Sequence, residues 1–376
     1  MSPEPMSPEP MAQDAAAGVR RAWGWLAHLR AGGTTPWSAW AEHGDRCGRV
    51  LPGAQQLELL RRLNQAGRPG PVLVERVLAA SAPGRGRPDL ELLGAVDALA
   101  FGPPPVDPAD LPDDELVRVA TSLPAEDVVA AGVPDGGTPR RTRWRRRRYR
   151  VVGDGALADP VRAALVASGR PPGGRGAVVL VLGTDVASMT VDAWTTRSLG
   201  EGAPRWTDWL AGHARRAVLP PAADPLRVAR TWAGRVGQDR VRVVLDPAAL
   251  PQLVGVRGPL PGPVALGADP TELARRLTQV LDLLAVPERR RALVHGTLLP
   301  RLAALGGTPL RVPEEHADWL HAAAVRVRDG LLRDGYAVVG DPDRLLPVDR
   351  PGVAEPSDAG VLALALRLLL ENEEDL

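Results

Sequence analysis

The fold is decided by one stretch: Arg148-Tyr149-Arg150-Val151-Val152-Gly153-Asp154-Gly155-Ala156-Leu157-Ala158-Asp159-Pro160, then a glycine-rich joint, then Ala177-Val178-Val179-Leu180-Val181-Leu182-Gly183-Thr184-Asp185. A short β-branched run stops at Gly153. Asp159 is a good N-cap with Pro160 in the first helical position, so a helix is expected from there to Gly169. Residues 177–182 form an uninterrupted apolar run of the kind buried on both faces of a parallel sheet. Strand, turn, helix and strand in this order open an α/β sheet, and the turn after the first strand is the usual seat of a phosphate.

Beyond this unit, strands alternate with helices. A helix through Trp194, another over 206–216 and a third over 225–236 precede a strand at 241–246. Helices over 271–284, 288–305 and 314–334, a short strand at 336–340 and a closing helix over 358–371 complete the chain. Alternation of this kind gives a mostly parallel sheet with helices on both faces. The part before it reads differently. Residues 1–18, with Met-Ser-Pro-Glu-Pro twice over, are expected to be a disordered leader. Residues 19–133 carry helical periodicity with Trp23, Trp25, Trp37 and Trp40 close together, which marks a small all-helical domain. Leu57, Leu59, Leu60 and Leu63 define one packing helix in it, with Arg61 and Arg62 placed outward. Residues 134–147 are a Gly/Pro joint running into arginines, and 148–376 form the α/β domain.

Composition narrows the function classes. There is no Lys and no Ile, a single Phe (Phe101) and two Asn, the pattern of a strongly GC-biased coding sequence; the use of Arg for every basic side chain follows from that bias first. A net charge of +1 provides no global field toward nucleic acid or membrane. One cysteine, Cys47, excludes an intramolecular disulfide framework and a thiolate metal cage and suits a reducing, cytoplasmic setting. No stretch reaches the roughly 18 to 20 apolar residues of a membrane span. The six His residues make no metal-ligand spacing, so no metal site is expected, and no G-x-S-x-G turn is present.

Two stretches carry chemistry. Gly153-Asp154-Gly155-Ala156-Leu157-Ala158 fits the loose dinucleotide form G-x-G-x-x-A, with Gly153 and Gly155 where backbone must approach a pyrophosphate. Against this, Asp154 and Asp159 put carboxylates where an anion would sit, and a plain strand-to-helix turn is the competing reading. The run Arg140, Arg141, Arg143, Trp144, Arg145, Arg146, Arg147, Arg148, Tyr149, Arg150 is the densest charge in the chain. Such a run tracks phosphates, with Trp144 and Tyr149 available to stack on bases, or else it is a solvated linker that protects a sheet edge.

Several pieces of residues 148–376 together resemble the P-loop sulfotransferase-like proteins of actinobacteria. These are the strand-turn-helix opening; the run from Leu182 through Gly183-Thr184-Asp185 and Ser188 to Trp194; Ala229-Arg230-Thr231-Trp232-Ala233 with Asp239-Arg240-Val241-Arg242-Val243-Val244; and Val312-Pro313-Glu314-Glu315-His316 leading to Gly335-Tyr336-Ala337-Val338-Val339-Gly340-Asp341 and Leu345-Leu346-Pro347. The resemblance implies a P-loop-type α/β domain that, when active, holds 3′-phosphoadenosine 5′-phosphosulfate and transfers its sulfuryl group to a hydroxyl. Such members carry a Lys or Arg and a hydroxyl residue in the turn, where this chain has Gly153-Asp154-Gly155 with neither. Ser188 is the remaining donor toward the cofactor's 3′-phosphate, and Arg147, Arg148 and Arg150 are the nearest cations in sequence. The expected function is a sulfotransferase-like protein with a degenerate phosphosulfate site, non-catalytic or of altered activity, linked by family analogy to cell-surface polysaccharide synthesis. The alternatives are a nucleic-acid or polyanion binding module acting through residues 140–150, and a Rossmann-like dinucleotide-binding domain.

Overall fold

A computed structural model of the chain describes all residues except 1–9, 49, 81–87, 96–101, 135–146, 201 and 375–376. Its regular elements, in order, are α1 (Pro10–Arg30), α2 (Ala54–Ala66), α3 (Pro71–Ala79), α4 (Asp113–Ala120), α5 (Ser122–Ala131), β1 (Arg147–Gly153), α6 (Gly155–Ala167), β2 (Pro172–Leu182), α7 (Val186–Gly200), α8 (Trp206–Arg215), α9 (Pro225–Val236), β3 (Val241–Val244), α10 (Leu250–Val254), α11 (Ala268–Leu284), α12 (Pro287–Leu293), α13 (Leu299–Leu305), α14 (Ala317–Arg333), β4 (Ala337–Val339) and α15 (Asp358–Glu374). A π-helical turn, Val294–Leu298, joins α12 to α13. The chain divides into two units: one of residues 1–132, 276–293 and 357–376, the other of residues 133–275 and 294–356.

In the first unit, Trp23, Trp25 and Trp37 are buried, and the rings of Trp25 and Trp37 lie 5.4 Å apart. Their indole nitrogens are spent internally: Trp25 Nε1 donates to Thr35 O at 2.9 Å and Trp37 Nε1 to Leu93 O at 3.1 Å. A Trp that is buried with its N–H satisfied is core. The helix carrying Trp23 and Trp25 starts at Pro10, so residues 10–18 of the expected leader are the first turns of α1; residues 1–9 lie outside the described residues. Arg61, expected outward, is buried on α2, where its Nε and Nη2 engage both oxygens of Glu58 at 2.7 and 2.6 Å. Burial of a guanidinium is tolerated because its fork is met by a carboxylate one helical turn back. The reading that gave all of 148–376 to the α/β domain also changes. Helix α15 packs on α4, α2 and α5, burying Leu362, Ala365, Leu366 and Leu369, so the C-terminal helix completes the first unit.

Among the described residues, the second unit holds four parallel strands in the order β1-β2-β3-β4. Both faces are covered, as continuous apolar strands require. Val179, Val181, Val241 and Val243 face α7, α9 and α14; Val151, Leu180, Leu182 and Val244 face α6 and α10. The consecutive crossovers β1-α6-β2 and β2-α9-β3 advance the same way across the sheet on opposite faces and are therefore of opposite hand. The glycine-rich joint lies inside β2 as a bulge: Tyr149 pairs with both Gly173 and Val178, and Gly173, Gly174 and Gly176 have positive φ. A third cluster, in which Trp206 packs at 5.4 Å from Trp194 and 5.8 Å from Trp209, closes the sheet's carboxyl end, with Trp206 Nε1 donating to Ala354 O at 3.0 Å.

Candidate functional site

Three carboxylates meet beyond the carboxyl ends of β1 and β2. Gly153 ends β1 at φ +125°, and a Cβ there would stand 2.5 Å from Leu182 O, so glycine is required by the close approach of β1 to β2 rather than by a ligand. The helix then starts at once. Asp154, fully buried, caps α6 through Oδ1, which accepts from Ala156 N at 3.2 Å, while its Oδ2 has no hydrogen-bond partner among the described residues. The expectation that Asp159 is the cap is thereby corrected: Asp159 lies inside α6, exposed and paired with Arg162, and Pro160 is an interior helix residue. A buried carboxylate that already accepts from a helix-start amide holds the position better than an exposed one a turn later.

Asp185 repeats the arrangement after β2. Its Oδ1 accepts from Ser188 N at 2.9 Å, and its Oδ2 meets Arg350 Nη2 at 2.9 Å. Two turns further along α7, Asp192 makes no hydrogen bond or ion pair with a described residue. Burial pushes the Asp154 carboxyl up to about 7, and the negative charge of Asp192 adds to the rise. Asp192 is pushed up to about 6, again by burial first and then by the charge of Asp185, with Arg350 opposing. Both carboxyls therefore titrate closer to neutrality than an ordinary aspartate, the setting in which a carboxyl group exchanges protons with a ligand.

Asp192 and Arg350 line a cavity of approximately 1390 Å³. Its walls come from the ends of β2 and β3, the first turns of α6 and α7, residues 260–266, residues 309–312 and residues 347–352. Most of the lining is apolar, including Leu157, Val191, Leu250, Leu266, Leu310 and Leu320. Crevices beyond the carboxyl ends of parallel strands are the usual ligand sites of α/β sheets. The strand order contains no reversal, so β1 lies at an edge and its turn is not at a topological switch point.

The expected site residues fall in several places. Gly153 and Gly155 flank Asp154, but a Cβ on Gly155 would meet Thr196 Cγ2 at 3.1 Å, which makes it a helix-packing glycine against α7. Ser188 lines the cavity, with its backbone N–H already given to Asp185. Arg148 and Arg150 are exposed and do not reach the turn: an extended strand rises about 3.3 Å per residue, so Arg148 starts about 16 Å from Gly153. Arg150 lies over Trp232, 5.8 Å from its ring centre. Arg147 opens β1; Arg140, Arg141, Arg143, Trp144, Arg145 and Arg146 lie outside the described residues. The turn therefore does not fit a phosphosulfate donor, since its helix-start amide faces the protein's own carboxylate and no cation pairs with it among the described residues. Among the described residues, no group of three or more His, Cys, Asp or Glu is placed to hold a metal ion.

Sequence reasoning missed Asp192 and Arg350. For Asp192 a signal existed, because Asp185 and Asp192 are seven apart and share one helix face. For Arg350 there was none, since its role comes from a long-range return of the chain. Comparison of the chain with protein-family profiles, curated proteins and solved structures found no match. The class defined by fold and site is an α/β protein with a large, mostly apolar cavity at the carboxyl end of its sheet, lined by charged side chains of both signs, among them Asp192, Arg311 and Arg350. No helix among the described residues is long and apolar enough to cross a membrane.

Proposed function

We propose that the second unit is a sulfotransferase-like scaffold of altered activity, whose former phosphosulfate turn is sealed and whose cavity takes a neutral or cationic, largely apolar small molecule. The carrying observation is Asp192, a carboxylate on the cavity wall with no hydrogen-bond or ion-pair partner among the described residues, electrostatically coupled to the buried Asp154. An incoming amine or hydroxyl meets a negative, proton-exchanging group at Asp192. Asp192 is the group that touches the ligand. Asp154 acts on it through the electrostatic coupling of the two carboxyls, and Arg350 holds Asp185 in place at the start of α7. The engaged helix-start amide of the turn weighs against the Rossmann-like alternative. A cytoplasmic setting suits the single exposed thiol, Cys47.

Calorimetry of the full chain at pH 7.5 with two matched probes, tryptamine and 3-methylindole, tests the reading. The amine is expected to bind about tenfold more tightly than its neutral analogue, a difference of about 1.4 kcal/mol, and Asp192→Asn to abolish that preference. Displacement of the amine by adenosine 3′,5′-bisphosphate would overturn the proposal, as would equal affinity for both probes.

A further inference from the structure

A second, smaller concavity of approximately 400 Å³ lies toward the amino-terminal half of the same strands. Arg148 from β1, Arg170 just before β2 and Arg242 from β3 all line it, with Tyr149, Gln252 and an apolar floor of Val178, Leu180, Leu253 and Val254. No acidic residue lines it, and none of these three arginines has an ion-pair partner among the described residues. Elsewhere the molecule pairs its arginines readily, as Arg61 with Glu58 and Arg275 with Glu272 show. Like charges gathered in one hollow without a counter-charge repel each other, and an anion relieves that repulsion.

The hollow is also held in shape. Tyr149 OH donates to Arg170 O at 2.7 Å, and the half-buried Arg170 donates from Nη1 to Val254 O at 3.4 Å, which fixes its guanidinium over the floor. The register of the sheet supplies the rest. Leu180 is the Cα partner of Arg242, and Tyr149 is that of Val178, so the floor and the cations come from adjacent strands. Guanidinium forks match the oxygens of a phosphate bidentately, and a monoester carries about two negative charges near neutrality.

We infer that this hollow binds an organic phosphate monoester, its phosphoryl group held by Arg148, Arg170 and Arg242 and its apolar body resting on Val178, Leu180 and Leu253. The site is independent of the mixed-charge cavity and of the arginine run at 140–146. Its test is calorimetry of the full chain with phenyl phosphate, inorganic phosphate and phenol. Saturable one-to-one binding of phenyl phosphate is expected, tighter than that of inorganic phosphate or of phenol. Arg148→Gln and Arg242→Gln, both at exposed positions, should each weaken it about tenfold, with Arg242→Lys weakening it less than Arg242→Gln. Joint substitution of Arg140, Arg141, Arg143, Arg145 and Arg146 by Gln should leave it intact, as should Asp192→Asn, which separates this result from the fate of the cavity proposal. Absence of saturation would overturn the inference. So would binding that survives Arg242→Gln and disappears with the arginine run.

Discussion

Burial holds the Asp154 carboxyl near 7 and that of Asp192 near 6, so the folded protein binds protons between about pH 4 and pH 7 that the unfolded chain has already released. Stability contributed by this pair is fully present below about pH 4 and is lost as pH rises through 6 to 7. Asp154→Asn keeps the cap oxygen and removes the buried charge. The variant should gain stability over the parent on passing from pH 5 to pH 8, by roughly 2 kcal/mol at the upper end, read as the difference between denaturant midpoints at the two values. A difference that does not grow with pH would contradict it. Gly153 offers a sharper packing test. Gly153→Ala adds a Cβ against Leu182 O in a backbone region that L-residues avoid, and a loss of about 2 to 4 kcal/mol is expected in thermal unfolding. At this scale the sequence was partly readable: the acids at 154, 159 and 185 and the missing cation were visible, whereas which aspartate caps α6 was not. Capping was settled by burial of the turn against β2 and α7, a long-range effect that a local signal such as Asp159-Pro160 does not contain.

At the level of elements, strands and helices of the second unit were legible because their apolar patterns are strong. Residues 225–236 are helical as the periodicity indicates, and 177–182 lie in β2 as the continuous apolar run requires. Two elements departed from their local signal. The glycines before Ala177 read as a joint, yet pairing with β1 draws them into β2 as a bulge, since glycine permits the positive φ that a bulge needs. Trp37 and Trp40 fall in a stretch expected to be helical, yet the chain there makes only a single 3₁₀ turn, with Trp37 inserted into the core and Trp40 stacked on His28. The C-terminal helix carries its own prediction. Leu369 on α15 is buried, so Leu369→Ala should lower stability by about 2 to 4 kcal/mol. Unchanged unfolding of the variant would show that α15 is not part of the first unit's core.

For the whole molecule, the change of pattern near residue 134 was visible, but the assignment of 276–293 and 357–376 to the first unit was not. Those segments are ordinary amphipathic or apolar helices, and nothing in their own composition names the partner they bury against. A fragment of residues 1–133 therefore lacks two pieces of its unit and should show no cooperative melt in circular dichroism; a sharp transition matching that of the full chain would contradict the division. Charge is also laid out on this scale. The near-zero net charge hides a mixed-charge cavity at the carboxyl end of the sheet and an arginine hollow toward the other end, each in the second unit.

Carbon-detected NMR of the aspartate carboxyl groups across pH 3 to 9 reads the acidic pair itself. Asp154 and Asp192 are expected to titrate together in the window around 6 to 7, with Asp154 moving down in Asp192→Asn as the neighbouring charge is removed. Titration of both carboxyls near 4, the ordinary range for aspartate, would contradict a coupled pair of buried acids at the end of the sheet.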